Sequence, residues 1–349
     1  MKFLKNILCV FLLFISSILE ARPVLFVATG PSNEVIKIDL STNKVIGKIG
    51  ELENAHGLAG HPTSEYLVAG SMNRGGKKQS MKPSSVSEED HKAHHAAQSK
   101  QGKSSEQHSF VSIVHPKHGH VMRRVKVQGI THHTAVSPNG KEAIAVHSTL
   151  GGISVLDLNK MSVITTVKTG QVPNYAVYSH GGKFVFVSNA GSGTVSKVST
   201  KNWDITDQIN VGKGPEHLAM SSDGKSLFAL NVISGSVSII DVGHSRVIKE
   251  VKVGKSPHGL APSPDGKWLF VSNKGGDSLS RISLLDFTKQ NISLSPAPYH
   301  LEYISDVNKV YVSSRKKPLI WVIDPISLQI VNEIQFEPGV AHQMVVMDE

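Results

Sequence analysis

The amino-acid sequence predicts an all-β fold, a seven-bladed β-propeller with four strands in each blade. Two observations lead to this prediction. A segment of 17 residues recurs along the chain at a spacing near 42 residues, which is typical of one four-stranded propeller blade. Each repeat also contains short apolar runs separated by Gly, Asn and Asp, the pattern of antiparallel strands joined by tight turns.

The repeat is clearest in three consecutive copies. Residues 173–189, 215–231 and 257–273 have the sequences PNYAVYSHGGKFVFVSN, PEHLAMSSDGKSLFALN and PHGLAPSPDGKWLFVSN. Weaker copies occupy residues 55–72, 131–147 and 298–314, and a partial copy occupies residues 340–347. If one anchor residue is taken in each copy, the anchors lie at 56, 132, 174, 216, 258, 299 and 341. Seven anchors predict seven blades.

Each unit contains four strand signals. An apolar stretch after the anchor is the first strand, and a turn such as Asp265-Gly266 leads to the second. The third strand usually ends in an aspartate, and we expect these side chains to accept hydrogen bonds from the following turn. They are Asp39, Asp157, Asp241 and Asp324.

The two ends of the chain fit one shared blade. Residues 24–28 match a second strand, and residues 342–347 match a first strand. We therefore expect the N- and C-terminal strands to pair and close the ring. The propeller is predicted to span residues 22–349, with residues 1–21 as a secretory signal peptide: Lys2 and Lys5 precede an apolar run, and Ala21 is a small residue at the cleavage site.

Composition narrows the class of protein. The chain has 349 residues, a formal net charge of +9 and a single cysteine, which lies in the predicted signal peptide. A disulfide framework and a four-cysteine metal site are thereby excluded. The signal peptide predicts a periplasmic or secreted protein with no membrane span after cleavage. Because the basic residues are scattered and the protein is exported, we expect no nucleic-acid partner.

Histidine is concentrated at the repeat anchors. In six of the seven copies, the anchor or the residue after it is a histidine. Because the first strand of each blade lines the central channel, the repeat should gather these side chains at one channel mouth. Neutral imidazole is a common ligand of zinc and copper, so the pattern predicts a metal site.

Two alternative sets of ligands follow from the alternation of side chains along a strand. The first is His56, His132, His258 and Glu216, and the second is His133, His217, His300 and His342. Only one residue of each pair should face the axis, and the first set is slightly favoured because it contains a carboxylate. His147 is an added candidate at the end of a second strand. Zinc is the expected ion, with Cu(II) as the alternative.

The first repeat contains an insertion over residues 73–107. It is rich in Ser, Lys, Gln, Glu and Gly and carries His91, His94 and His95. Such a composition predicts a disordered segment. Because it joins the second and third strands of its blade, it should extend over the same channel mouth and add metal-binding histidines.

The phrases KFVFVSN at 183–189 and WLFVSN at 268–273, each followed by a glycine-rich turn, resemble the YVTN family of β-propellers. This resemblance covers nearly all the mature chain and implies the fold. The combined layout of exported propeller, channel-mouth histidines and histidine-rich arm is similar to periplasmic zinc chaperones of zinc ABC importers. That similarity implies a zinc carrier whose partner is the metal-binding solute-binding protein of such an importer.

Other functions stay open at this point. The haem d1 and nitrous oxide reductase propellers share the fold and suggest a cofactor-binding or copper-cluster redox protein. A plain protein-interaction module is the third alternative. No Ser-His-Asp pattern, P-loop or dinucleotide fingerprint occurs in a suitable context, so no catalytic residue is assigned. The sequence favours a protein that is not an enzyme, and it leaves enzymatic activity undecided.

Overall fold

The computed structural model describes residues 22–73 and 108–348. Over these ranges the chain forms seven four-stranded antiparallel sheets arranged as a β-propeller, as the sequence predicted. Two short 3-10 turns, Lys274–Gly276 and Ser305–Val307, are the helical elements of the described ranges. None of the described helices is long and apolar enough to cross a membrane.

Blades are numbered here by the repeat copy that supplies their first strand. Blade 1 consists of β4 (Ala55–Ala59), β5 (Leu67–Ser71), β6 (His108–His115) and β7 (His120–Gln128). Blade 2 consists of β8 (Thr131–Val136), β9 (Glu142–His147), β10 (Gly152–Asp157) and β11 (Ser162–Lys168). Blade 3 consists of β12 (Pro173–Tyr178), β13 (Phe184–Asn189), β14 (Thr194–Ser199) and β15 (Ile205–Asn210).

The second half of the ring repeats this order. Blade 4 consists of β16 (Pro215–Met220), β17 (Ser226–Asn231), β18 (Ser236–Asp241) and β19 (Arg246–Lys252). Blade 5 consists of β20 (Pro257–Pro262), β21 (Trp268–Asn273), β22 (Ser278–Ser283) and β23 (Lys289–Ser293). Blade 6 consists of β24 (Pro298–Ile304), β25 (Lys309–Ser314), β26 (Leu319–Ile323) and β27 (Ile330–Gln335).

Blade 7 combines the two ends of the chain. Its strand order is β28 (Met344–Asp348), β1 (Pro23–Ala28), β2 (Val35–Asp39) and β3 (Lys44–Ile49). The antiparallel register places Val24 opposite Met347 and Val27 opposite Met344. The predicted closure is therefore confirmed.

The hydrophobic core lies between blades. Seven clusters of buried apolar side chains occur in the described chain, and each contains residues from two adjacent blades. The cluster between blades 6 and 7, for example, packs Tyr311 and Ile320 against Ile36 and Met344. A blade therefore buries its apolar faces only when both of its neighbours are in place.

The aspartates that end the third strands act as turn formers, as the sequence predicted. Asp39 accepts a hydrogen bond from the backbone N–H of Thr42 at 2.8 Å, and Asp157 accepts one from Lys160 at 2.9 Å. A hydrogen bond from the Ser41 hydroxyl, followed by that from Thr42, holds the pKa of Asp39 below its usual value, and the Lys160 N–H does so for Asp157. These aspartates therefore have a structural role in the turns.

Closure predicts that the C-terminal strand is required for cooperative folding. A chain truncated after Gly339 loses β28, which exposes the edge of β1 and removes Met344 and Met347 from two inter-blade clusters. We expect this chain to show no cooperative unfolding transition in urea, followed by circular dichroism. A synthetic peptide of residues 340–349 should restore the transition. A truncated chain that unfolds like the full chain would contradict the role of this pairing.

Candidate functional site

The opening residues of the first strands lie together at one mouth of the channel. Six histidines here have exposed fractions of 7% or less: His56, His133, His217, His258, His300 and His342. His132, beside them, is half-buried. The ring centroid of His217 lies 5.0 Å from that of His133 and 4.9 Å from that of His300. Imidazoles from different repeats are thus in direct contact. We call these seven side chains the histidine ring.

A β-bulge changes which side chains reach the axis. The register of the first and second strands shifts at the anchors of blades 1 to 6, as between Thr131 and Thr134 in blade 2. A bulge breaks the alternation of side chains along a strand. As a result, His132 and His133 both belong to the ring, and their Nδ1 atoms are 2.7 Å apart. The expectation that one residue of each pair faces the axis does not hold here.

Serines on the second strands hold these bulges in place. In blade 3 the Ser188 hydroxyl accepts a hydrogen bond from the Tyr175 N–H at 3.0 Å and donates one to the Glu216 carbonyl of blade 4. Equivalent serines are Ser272 and Ser313. These are the serines of the repeated Val-Ser-Asn and Val-Ser-Ser endings, so the repeat signature itself positions the ring.

Glycines allow neighbouring first strands to approach closely at the ring. A Cβ atom on Gly57 would lie 2.7 Å from the Cα of His133, and one on Gly259 would lie 2.6 Å from the carbonyl oxygen of Tyr299. Real side chains do not tolerate such distances from backbone atoms. The His-Gly pairs of blades 1 and 5 therefore combine a ring histidine with the space that its neighbour requires.

Four overlapping groups place three donor atoms within 4.8 Å of one another. They are His56, His132 and His133; His56, His300 and His342; His133, His217 and His300; and Glu216, His217 and His258. Three of these groups contain residues from both of the alternative sets inferred from the sequence. The group of His133, His217 and His300 comes from the second set alone. The slightly favoured set of His56, His132, His258 and Glu216 does not come together as one group.

The group of His133, His217 and His300 has the least satisfied nitrogen atoms. Nε2 of His133, both ring nitrogens of His217 and Nε2 of His300 are buried and have no hydrogen-bond partner among the described residues. A buried polar atom without a partner costs about 1–3 kcal/mol. Three such side chains from blades 2, 4 and 6 converge on the channel axis, where a cation would satisfy them.

Burial holds four of the ring histidines in the neutral form. Burial, reinforced by the neighbouring His132, lowers the pKa of His217 to about 3. Burial also places the pKa values of His56, His133 and His300 well below 6.5, with the other ring histidines adding to the effect. Neutral imidazole is the form that binds a metal, so these four histidines are in that form at neutral pH.

Glu216 contributes a carboxyl group at the edge of the ring. Burial raises its pKa to about 7, and the positive charge of Lys274 opposes the rise. Its Oε2 lies 3.8 Å from Nδ1 of His258. A nearby divalent cation would favour the charged carboxylate, so Glu216 is chemically suited to act as an oxygen ligand.

His147 lies apart from the four groups. Its Nε2 is 2.8 Å from the Ser154 hydroxyl in the third strand of blade 2. In blades 3 and 4, Asn189 and Asn231 make the same contact, with Ser196 and Ser238. His147 thus occupies the structural position of an asparagine and is not part of the ring.

The histidines of the insertion, His91, His94 and His95, lie outside the described residues. The described chain on either side shows where the insertion is attached. Ser71 at the end of β5 pairs with Ala55, the residue before His56, and β6 resumes at His108. The segment therefore leaves and re-enters the propeller at the face that carries the ring.

Two polar residues that the sequence did not single out, Gln343 and Glu302, lie in the channel beside the ring together with Tyr175. The side-chain amide of Gln343 donates a hydrogen bond to the Tyr175 hydroxyl at 3.1 Å and accepts one from the Leu58 N–H. Burial raises the pKa of Glu302 to about 7, and burial together with the Glu302 charge raises that of Tyr175. A glutamate within the apolar strand HLEYI was the available signal.

Comparison with known proteins supports the fold. The model of the YNCE-like beta-propeller family matches residues 169–296, which covers blades 3 to 5. The resemblance to the YVTN family and to zinc chaperones is not confirmed by this match. None of the curated proteins compared with the chain matches it.

Solved structures with the same fold have different functions. The Pseudomonas aeruginosa periplasmic gluconolactonase PpgL is 18% identical, with a TM-score of 0.70, over 93% of this chain and 98% of that chain. A functionally unknown protein from Desulfotomaculum acetoxidans is 13% identical, with a TM-score of 0.69, over 93% and 98%. The dihydro-heme d1 dehydrogenase NirN is 14% identical, with a TM-score of 0.65, over 90% and 64%. At such identities the likeness shows the fold alone.

The close approach at the ring predicts that Gly259→Ala is costly. The added methyl group overlaps the backbone of blade 6, so we expect a loss of about 1–3 kcal/mol in the free energy of unfolding. Gly181→Ala is the matched control, because nothing lies within 4 Å of its Cβ position. Urea denaturation of both variants measures the effect. Equal stabilities would show that the two first strands can separate without cost.

The buried histidines predict that the metal-free protein loses stability as pH falls. An unfolded histidine binds a proton near pH 6.5, whereas folded His217 does so only near pH 3. The unfolded state therefore binds more protons below pH 6.5, and stability present above that pH is lost on acidification. Glu216 and Glu302 oppose this trend between about pH 7 and 4.5, because their folded pKa values are raised.

Urea denaturation between pH 7.5 and 4.5 measures this dependence. We expect His300→Gln to flatten it, because one buried group that resists protonation is removed. If His300→Gln follows the slope of the unmodified protein, the ring histidine does not contribute to the loss of stability.

Proposed function

We propose that this protein is an exported metal-binding propeller that carries zinc, held at the channel mouth by His133, His217 and His300. The observation on which the proposal rests is the convergence of these three imidazoles from non-adjacent blades. One nitrogen of each lies within 4.8 Å of the others, and each side chain has a buried nitrogen without a hydrogen-bond partner among the described residues.

Zinc suits this donor set. It binds histidine nitrogen at about 2.0–2.1 Å in a tetrahedral arrangement, with water or a carboxylate as a common fourth ligand. A small contraction of the group would meet these distances. Glu216 shares a second group with His217 and His258, so it is placed to supply the carboxylate. Cu(II) is the alternative ion, since imidazole also binds copper well.

The surroundings of the ring favour a carrier. Overlapping groups share His56, His133, His217 and His300, so an ion can exchange ligands without leaving the ring. The insertion with His91, His94 and His95 is attached at the same face. It could pass zinc to or from a partner protein, for which the solute-binding protein of a zinc importer is our candidate.

The test is calorimetric titration of zinc into metal-free protein made without a histidine tag. We expect one submicromolar site at pH 7.5. His133→Ala and His217→Ala should each weaken it by at least about tenfold, because even outer-shell substitutions at metal sites cost this much. A chain without residues 74–107 should retain the site, since the ring alone supplies its ligands.

Two control variants separate the ring from the other histidines. His147→Asn restores the residue found at this position in blades 3, 4 and 5, and His244→Ala removes an exposed histidine. Both should bind zinc like the unmodified protein. Full affinity in His133→Ala and His217→Ala would overturn the proposal, and so would a Soret band in the purified protein, which would indicate haem instead.

A further inference from the structure

The channel continues beyond the histidine ring as a cavity of about 800 Å³. His217 and His300 form part of its ring-side end. From there its wall follows the first strands of the blades and reaches the exposed residues Asp306 and Asp348 at the opposite end. The ring is therefore connected to solvent through the length of the propeller.

The charge of this cavity contrasts with that of the whole protein. The chain has 37 Lys and Arg residues, yet none of the described residues that line the cavity is a Lys or an Arg. The lining contains three carboxylates, Glu302, Asp306 and Asp348. A cleft with walls of low dielectric and one sign of charge concentrates ions of the opposite charge, so this cavity attracts cations.

Lysines do occur in the turns between first and second strands at the same end of the propeller, such as Lys141, Lys183 and Lys225, and two others, Lys267 and Lys309, belong to ion pairs. The Nζ atom of Lys267 lies 3.4 Å from Asp265. The Nζ atom of Lys309 lies 3.4 Å from Asp324. The positive charges of Lys267 and Lys309 are therefore partly compensated by these two aspartates.

The ring-side mouth has the opposite character. Lys274 and Arg315 approach the ring of Tyr299, at 6.0 Å and 5.4 Å from its centroid. Tyr299 is stacked on the imidazole of His258, with a centroid distance of 3.8 Å. Two positive groups thus lie next to the histidine ring on this side, together with the carboxyl group of Glu216, whose pKa burial raises and Lys274 lowers.

Glu302 lies between the acidic opening and the ring. It follows His300 by two residues on β24, just beyond the bulge between Pro298 and Leu301. Both residues line the cavity. Of the three acidic residues in the lining, Glu302 is therefore the nearest along the chain to His300, whose Nε2 has no partner among the described residues.

We propose that divalent cations reach the histidine ring through this cavity from the Asp306–Asp348 end, and that Glu302 is the intermediate binding position on the way. This inference rests on the proposed function, because it describes the route by which a cation reaches the proposed zinc site. Glu302 binds the incoming cation with its carboxylate, and His217 and His300 then take it over with their buried nitrogens.

The experiment measures the rate of Co²⁺ binding to the full-length, metal-free protein by stopped-flow absorbance. Glu302→Gln removes the charge and keeps the shape, and we expect it to slow association at least about threefold, within the range that charged clefts contribute. The unmodified protein should bind more slowly as salt rises, and the variant should respond less. Equilibrium affinity should change less than the rate, because Glu302 belongs to none of the four donor groups of the ring.

Obstruction of the cavity is a second, independent measurement. Ala135 and Ala219 line it from blades 2 and 4 and are half-buried. Ala219→Phe, checked for an unchanged melting temperature, should slow association about tenfold or more, with Ala135→Phe as the substitute if the first variant does not fold. Lys274→Met, the control at the ring-side mouth, should bind at the unmodified rate.

The outcomes separate the two proposals. If the unmodified protein binds neither Co²⁺ nor Zn²⁺, the proposed function fails and the route fails with it. If it binds, but Glu302→Gln and the obstructed variant associate at the unmodified rate, the route alone is overturned. Faster binding to Lys274→Met together with that result would assign entry to the ring-side mouth.

Discussion

Packing between blades is the interaction on which the rest of this structure depends. Each apolar cluster of the described chain is shared by two neighbouring blades, so no blade completes its core alone. The pairing of β28 with β1 joins the two ends of the chain and allows the seventh interface to form. Once the ring is closed, seven first strands surround one axis, and side chains far apart in sequence become neighbours.

The histidine ring destabilises the fold locally, and this framework holds it in place. Six of its seven imidazoles are buried, and those of His133, His217 and His300 have nitrogens without hydrogen-bond partners among the described residues, which is destabilising by itself. Serines that hold the bulges and glycines that admit neighbouring backbones position the side chains before any ion arrives. Groups held in an unfavourable state by a rigid framework are characteristic of functional sites.

Known structures of this fold include a gluconolactonase and a haem d1 dehydrogenase. Their likeness to this chain is one of backbone architecture, and function in such folds depends on the residues at the channel. Here the channel combines three features: imidazoles at one end, carboxylates along the wall and positive groups at the ring-side mouth. This polarity along one axis is compatible with the passage of a cation.

The sequence alone determined the number of blades, their strand order and the closure, because these follow from a repeat near 42 residues and from local turn signals. It also placed the histidines at one mouth, since equivalent positions in a repeat occupy equivalent positions in the ring. It did not determine which of them converge. The bulges at the anchors break the alternation on which the two alternative sets depended, and distances across the axis exist only after closure.

His147 and Glu302 also show what the repeat pattern could not determine. The repeat pattern places His147 near the ring, yet its contact with Ser154 is the one that an asparagine makes in blade 3. Glu302 follows no repeat, and only the assembled cavity shows that it is a carboxylate in a wall without Lys or Arg among its described residues. The repeat specifies the position of a side chain on its strand. The contacts of that side chain depend on strands of other blades, which become neighbours only when the protein folds.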